Sequence, residues 1–219
     1  MRTIFSYNGP VMTFLSRLWD CVWLSILFLL CSIPVFTVGL SYGALYYAVN
    51  KSMRHERDYV TASFFHGIRA NWRQTLPGSV LAVLLTLVFV MDIWILRSFQ
   101  AAGSLIGSAY VLFVVFIILL LGYCIWTFAY MVRFEDPFRR VLKLSLFLMV
   151  RHLGATALSL LVVALGAFAC YIIPIGLVFL PALTVWLLTA ILERVFRQYM
   201  TAEDKEAEDE RNMEWPDKK

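Results

Sequence analysis

Residues 152–192 read HLGATALSLLVVALGAFACYIIPIGLVFLPALTVWLLTAIL, and no Asp, Glu, Lys or Arg interrupts them. A single helix of these 41 residues would be about 60 Å long, roughly twice the hydrocarbon thickness of a bilayer. Ile173-Pro174-Ile175-Gly176 is the predicted turn, because proline lacks a backbone donor and glycine tolerates the dihedral angles of a reversal. The run therefore predicts two membrane crossings, at about 152–172 and 175–192. A re-entrant hairpin turning at 174–176 is the alternative.

The rest of the chain is similarly apolar. It is 61% hydrophobic and 16% charged, with a mean hydropathy of +0.75, whereas a soluble domain is about 45–50% apolar and about 25% charged. Further stretches long enough to cross a bilayer lie at about 18–38, 78–96 and 109–131. We therefore predict an all-α polytopic membrane bundle with five transmembrane helices, forming a single membrane domain over residues 1–200.

Lysines and arginines near span ends favour the cytoplasmic side of a membrane. Five spans with the N-terminus outside leave all 19 of these residues inside except Arg2, Arg17 and Arg97. This distribution predicts a multi-pass protein of the cell (cytoplasmic) membrane with an outside N-terminus and a cytoplasmic C-terminus.

The C-terminal segment 201–219 differs from the rest of the chain. Most of its residues are charged, acids outnumber bases, and no apolar periodicity survives in it. Such a composition cannot bury enough apolar surface to order a chain, so we predict an acidic, disordered tail.

The segment 41–74, predicted to be cytoplasmic, shows two amphipathic patterns. The apolar residues of each pattern recur at helical spacing: Tyr42, Tyr46, Val49 and Met53 in the first, and Phe64, Phe65, Ile68 and Trp72 in the second. Either this segment is a connector lying on the lipid surface or it docks a partner. The candidate partner-docking residues are Phe64, Phe65, Arg69, Trp72 and Arg73.

Two acids fall near the predicted outer ends of spans, each close to an arginine. Arg17 precedes Asp20 by three residues, and Arg97 follows Asp92 by five. Ionisable residues in spans are costly and are functional candidates by default. We predict an outer-face charge cluster of Arg17, Asp20, Asp92 and Arg97, which is either structural or a site for a solute or proton.

Motifs for chemistry are weak. Gly39-Leu40-Ser41-Tyr42-Gly43 matches GxSxG, but the predicted context is a turn after a transmembrane helix rather than the strand-to-helix turn that a hydrolase needs. The three histidines have no acid at a recognisable spacing, no metal-ligand spacing occurs among Cys and His, and no nucleotide-binding motif is present. We expect no catalytic, metal or cofactor site. The basic loops follow from membrane topology, so we expect no nucleic-acid partner.

Several short motifs in the first third of the chain resemble a known family. They are Leu18-Trp19, Trp23, Ile33-Pro34-Val35-Phe36-Thr37-Val38-Gly39, Ala44-Leu45-Tyr46-Tyr47, Phe64-Phe65 and Asn71-Trp72-Arg73-Gln74. Together they are similar to the N-terminal signature of the YesL-like family of bacterial membrane proteins, a family of unknown function. The resemblance implies a Gram-positive type of membrane and a link to carbohydrate uptake by ABC importers. The expected function is therefore a non-enzymatic accessory of such an importer; the alternative is a small-solute transporter or channel in its own right.

Overall fold

The structure is a computed structural model that describes residues 10–54, 59–101, 105–134 and 136–200. Its seven α-helices are α1 (Pro10–Cys31), α2 (Val38–Ala48), α3 (Val60–Ala101), α4 (Tyr110–Arg133), α5 (Phe138–Arg151), α6 (Leu153–Ile172) and α7 (Leu180–Tyr199). Shorter helical segments are Val35–Thr37, Leu105–Ala109 and Pro174–Val178, which are 3₁₀, and Val49–Arg54, which is a π-helix. No strand occurs in the described part of the chain, which confirms the predicted all-α class. The predicted acidic tail, 201–219, lies outside the described residues.

Three helices are long and apolar enough to cross a membrane: Val60–Gln100, Gly107–Arg133 and Leu153–Ile172. Their apolar side chains are largely exposed, and in the most apolar part of the first helix only 6% of residues are buried. The predicted spans 78–96, 109–131 and 152–172 correspond to these helices. This exposed apolar surface indicates a membrane protein. The predicted spans 18–38 and 175–192 are not among the three.

α3 is longer than the sequence patterns predicted. Its 42 residues pass through Pro77 without interruption, so the second amphipathic pattern and the span at 78–96 belong to one helix. A helix of this length extends about 63 Å, which exceeds the thickness of the hydrocarbon layer. The N-terminal part of α3 carries Arg69 and Arg73, and its C-terminal part carries the apolar stretch 78–96.

α1 ends earlier than predicted. The helix stops at Cys31, because the backbone before Pro34 is biased away from the helical conformation. The hydroxyl of Thr37 lies 2.6 Å from the carbonyl oxygens of both Cys31 and Pro34, where its proton can satisfy either acceptor. α2 then begins at Val38, so the prediction of one helix over 18–38 was wrong. Ser41 lies inside α2 and is buried, not on a turn.

The described residues form two compact units. The first unit comprises the described parts of Met1–Leu30, Ala44–Ala70 and Leu161–Lys219. Its core is made by apolar side chains of α1, α2, α3 and α7, among them Leu24, Leu45, Tyr46, Phe64, Leu192 and Phe196.

Within the first unit, α6 and α7 form an antiparallel hairpin. The chain reverses through Pro174–Val178, and Thr184 of α7 lies directly against Gly166 of α6. The predicted turn at 174–176 is confirmed. Pro181 lies in the first turn of α7, where a missing N–H costs nothing.

The second unit comprises the described parts of Cys31–Gly43 and Asn71–Leu160. α3 and α4 run antiparallel in it: the ring of Phe89 lies 5.8 Å from that of Phe116, and Gly78 lies near Met131 at the other end of the pair. α6 packs on α4 through a hydrogen bond of 3.0 Å that Trp126 Nε1 donates to Thr156 Oγ1.

α5 is a helix that the sequence analysis did not predict. It packs along the end of α4 within the second unit, where the Tyr123 hydroxyl donates to the Leu142 carbonyl at 3.2 Å. Its buried side chains are Val141, Ser145, Leu148 and Met149.

The start of α2 approaches α3 and α4 closely. The Gly39 N–H donates to Ser79 Oγ at 2.9 Å, and a Cβ at this glycine would overlap the ring of Phe128. Only glycine fits this contact without moving a buried aromatic side chain.

We therefore expect Gly39→Ala to lower the free energy of unfolding by about 1–3 kcal/mol, the usual cost of overpacking. Gly154→Ala is the control, since nothing lies within 4 Å of the Cβ it would add, and it should change the free energy of unfolding little. Thermal unfolding of both variants in detergent checks this. Equal melting temperatures for the two variants would contradict the proposed contact.

Candidate functional site

An acidic side chain is buried inside the first unit. Glu193 of α7 is only 7% exposed. Its Oε1 accepts hydrogen bonds from the Tyr46 hydroxyl at 2.9 Å and from Asn50 Nδ2 at 3.1 Å. Hydrogen bonds to a carboxylate are stronger than those between neutral groups, so these contacts tie α7 to the end of α2 and to the segment after it.

The backbone at this acid is unusual. Asn50 belongs to the π-helical segment Val49–Arg54, and such segments are rare and frequently occur at functional sites. The Oδ1 atom of Asn50 is buried and has no hydrogen-bond partner within the described residues. The arrangement holds the Glu193 carboxyl group and the Asn50 side-chain amide close together at a buried position.

Sequence reasoning missed Glu193. The available signal was its position, because it is the acid that ends the uncharged run 152–192. A charge placed directly at the end of a span is usually solvated, and nothing local indicated that Tyr46 would meet it.

A second feature of the first unit is an open cleft near the start of α3. The cleft has a volume of about 560 Å³, and the described residues that line it are Trp19, Asp20, Trp23, Tyr59, Val60 and Thr61. We call it the aromatic cleft. Trp23 Nε1 donates to Thr61 Oγ1 at 2.8 Å. This hydrogen bond joins the side of the cleft formed by α1 to the side formed by the start of α3. Aromatic faces beside one carboxylate suit a ligand with apolar faces and either hydroxyl groups or a positive charge.

The aromatic cleft tests the predicted topology. Asp20 was placed at the outer end of the first span, and Thr61 in the cytoplasmic segment 41–74. A crossing would separate them by most of the roughly 30 Å hydrocarbon layer, yet both line one cleft, and Trp23 contacts Thr61 directly. The orientation of the termini stays a prediction.

The four members of the predicted outer-face charge cluster are divided between the units. Arg17 and Asp20 belong to the first unit, and Asp92 and Arg97 belong to the second. The guanidinium of Arg97 lies 5.5 Å from the ring centroid of Tyr110, a cation–π distance. The cluster as a whole stays a prediction.

The predicted docking residues on α3 differ in exposure. Phe65 and Trp72 are 50% and 47% exposed, Arg69 and Arg73 are also exposed, and the Arg73 guanidinium lies 5.6 Å from the Trp72 ring. Phe64 is fully buried, so its predicted role in direct partner contact was wrong: it is a core residue. We call Phe65, Arg69, Trp72 and Arg73 the α3 docking residues.

Comparison with known proteins gives one match. A family model described as "Protein of unknown function, DUF624" matches residues 21–93. This supports similarity to an uncharacterised family in the region where the sequence motifs occur, while the YesL-like name stays a prediction. No curated protein and no solved structure matches the chain.

The Glu193 cluster gives a direct prediction. We expect Tyr46→Phe to lower the free energy of unfolding by about 1.5–3 kcal/mol, because it removes a donor from a buried carboxylate. Tyr47→Phe is the matched control, since its ring stacks near His66 at 5.6 Å and its hydroxyl does not bond to Glu193. Chemical or thermal unfolding of the two variants measures the difference. A Tyr46→Phe variant as stable as Tyr47→Phe would show that the hydrogen bond contributes nothing.

Proposed function

We propose that this chain is a non-enzymatic integral membrane protein of a bacterial cytoplasmic membrane that works as a partner of a carbohydrate ABC importer. The observation that carries the docking part of the proposal is the pair of exposed aromatic side chains, Phe65 and Trp72, next to Arg69 and Arg73 on the N-terminal part of α3. In the proposed topology this part of α3 projects from the inner side of the membrane. Aromatic and arginine side chains are enriched at protein interfaces. The identification of the partner as an importer rests on the family resemblance.

The proposal includes a revised topology. α3 and α4 cross the membrane, whereas α1 with α2 and α6 with α7 each form a hairpin that enters and leaves on the inner side. The Ser25 hydroxyl, two residues from Trp23, accepts from the Ala182 N–H at 3.1 Å, which supports an inner-side position for the start of α7 as well. Three contacts within the first unit support this arrangement. Trp23 of α1 contacts Thr61 at the start of α3, Ala44 of α2 lies against Gly67 a few residues further along α3, and Glu193 near the end of α7 contacts Tyr46. α1, the C-terminal part of α2 and the C-terminal part of α7 therefore lie beside the N-terminal part of α3.

Charge supports the same topology. With two crossings and both termini inside, all 19 lysines and arginines lie on the inner side except Arg97. The five-span arrangement leaves three outside, so the revised topology satisfies the positive-inside rule better. The turn between α1 and α2 exposes Ile33, Val35 and Phe36, which suits a tip that dips into lipid.

Two exposed serines distinguish the topologies. Ser16 lies in α1, and Ser108 lies between α3 and α4. In a cysteine-free background, we expect Ser108→Cys to react with a membrane-impermeant thiol reagent added to intact cells, and Ser16→Cys to react only after permeabilisation. Labelling of Ser16→Cys in intact cells would restore an outside N-terminus and overturn the hairpin.

Affinity capture tests the docking role. After mild solubilisation of native membranes, importer subunits should co-purify with the wild-type chain. The variant Arg69→Glu with Arg73→Glu should reduce their yield by about tenfold or more, since opposed like charges cost several kcal/mol at an interface. Arg97→Glu, at the other end of α3, is the control and should leave capture unchanged. Absence of importer subunits, or undiminished capture by the double variant, would contradict the proposal.

The alternative is a small-solute transporter in its own right. The aromatic cleft with Asp20 favours it, because aromatic faces with one carboxylate can hold a small polar ligand. The test is sugar uptake by the purified chain in liposomes. Saturable uptake that is lost in Asp20→Asn, while thermal stability is unchanged, would support a transporter and contradict the accessory role.

A further inference from the structure

α5 presents two chemically different faces. One face packs into the second unit through Val141, Ser145, Leu148 and Met149. The opposite face is exposed along its whole length and mixes cations with apolar side chains: Arg139, Arg140, Lys143, Leu146, Phe147, Val150 and Arg151. A solvated helix face would be mainly polar, so this composition calls for a partner that is charged in one part and apolar in another.

The two kinds of side chain are ordered along the helix. Arg139, Lys143, Leu146 and Val150 follow one another at i, i+4, i+7 and i+11, so they form one line on the helix surface. The first half of this line is basic. The second half is apolar and open, with Leu146 53% and Val150 60% exposed. We call these four residues the α5 stripe.

Long apolar helices lie at both ends of α5. α4 ends at Arg133, five residues before α5 begins, and α6 begins at Leu153, two residues after α5 ends. Both α4 and α6 are long and apolar enough to cross a bilayer. α5 is therefore held at the membrane boundary, and its apolar half adjoins the helix that enters the membrane.

Some cations of this face already have contacts within the protein. Arg140 pairs with Asp136 at 3.3 Å, and the Arg151 guanidinium lies 5.7 Å from the Phe147 ring. Within the described part of the chain, no acidic side chain pairs with Arg139 or Lys143. These two cations, one helical turn apart, are available to a single anionic group.

We propose that the α5 stripe is a binding surface for an anionic phospholipid of the inner leaflet. Arg139 and Lys143 hold the phosphate of the headgroup, and Leu146 and Val150 contact the upper acyl chain. The inner-leaflet location rests on the proposed topology, in which α5 lies on the cytoplasmic side. Binding of this kind combines buried apolar area with attraction between cations and anionic headgroups.

The first experiment measures lipid preference. The purified full-length chain is reconstituted in nanodiscs of phosphatidylcholine with increasing phosphatidylglycerol, and phosphatidylglycerol bound to the protein is quantified by native mass spectrometry. At about 1 kcal/mol for each Lys or Arg near the surface, Arg139→Gln with Lys143→Gln should weaken the preference for phosphatidylglycerol by roughly thirtyfold. Arg140→Gln, on the same helix but already paired with Asp136, is the matched control and should change it little.

The second experiment locates the stripe. An environment-sensitive fluorophore on Val150→Cys, in a background without the four native cysteines, should emit at a shorter wavelength in the bilayer and be quenched by spin-labelled lipid. The same fluorophore on Arg139→Cys should be quenched less. A water-exposed probe at position 150, or an unchanged lipid preference in the double variant, would overturn the proposal. An equal loss in Arg140→Gln would overturn the assignment to Arg139 and Lys143.

Discussion

The need to surround apolar side chains with something other than water governs this structure. α3, α4 and α6 present most of their leucine, valine and phenylalanine side chains outward, and each exposed side chain of this kind would cost about 1.5–3 kcal/mol in water. A bilayer removes this cost. It also demands that backbone groups be satisfied internally, which explains why the chain changes direction through short helical segments such as Pro174–Val178.

Small hydroxyl groups satisfy backbone donors at the points of closest helix approach. Ser79 accepts from the Gly39 N–H, and Ser25 accepts from the Ala182 N–H at 3.1 Å. Both amides lie in the first turn of a helix, where no intrahelical carbonyl is available. A serine side chain on a neighbouring helix supplies the acceptor and is small enough to permit close packing. Close packing also explains the glycine at position 39, because a Cβ there would overlap the ring of Phe128.

Sequence patterns were sufficient where the deciding information was local. The all-α class followed from apolar run lengths, and the reversal at 173–176 followed from a proline and a glycine in a run too long for one crossing. The break between α1 and α2 was not predicted, because a hydropathy pattern alone does not distinguish one long helix from two shorter helices. That distinction depends on contacts between distant residues, such as Trp23 with Thr61. Likewise, the burial of Phe64 and Glu193 depends on which helices meet there.

α5 was missed because its cations dominate its composition, and its apolar positions are recognisable only once α4 provides a surface for them.

The shortness of one connection has a consequence for what the protein can recognise. α3 joins α4 through residues 102–109. In the proposed topology this is the segment that faces the cell exterior. It contains no charged side chain, so a protease outside the cell that is specific for basic residues would find no cleavage site in it, and it offers an antibody only a small epitope. Almost all of the surface that a partner could recognise then faces the cytoplasm or the lipid. Partners and signals that act on the protein therefore reach it from those two sides.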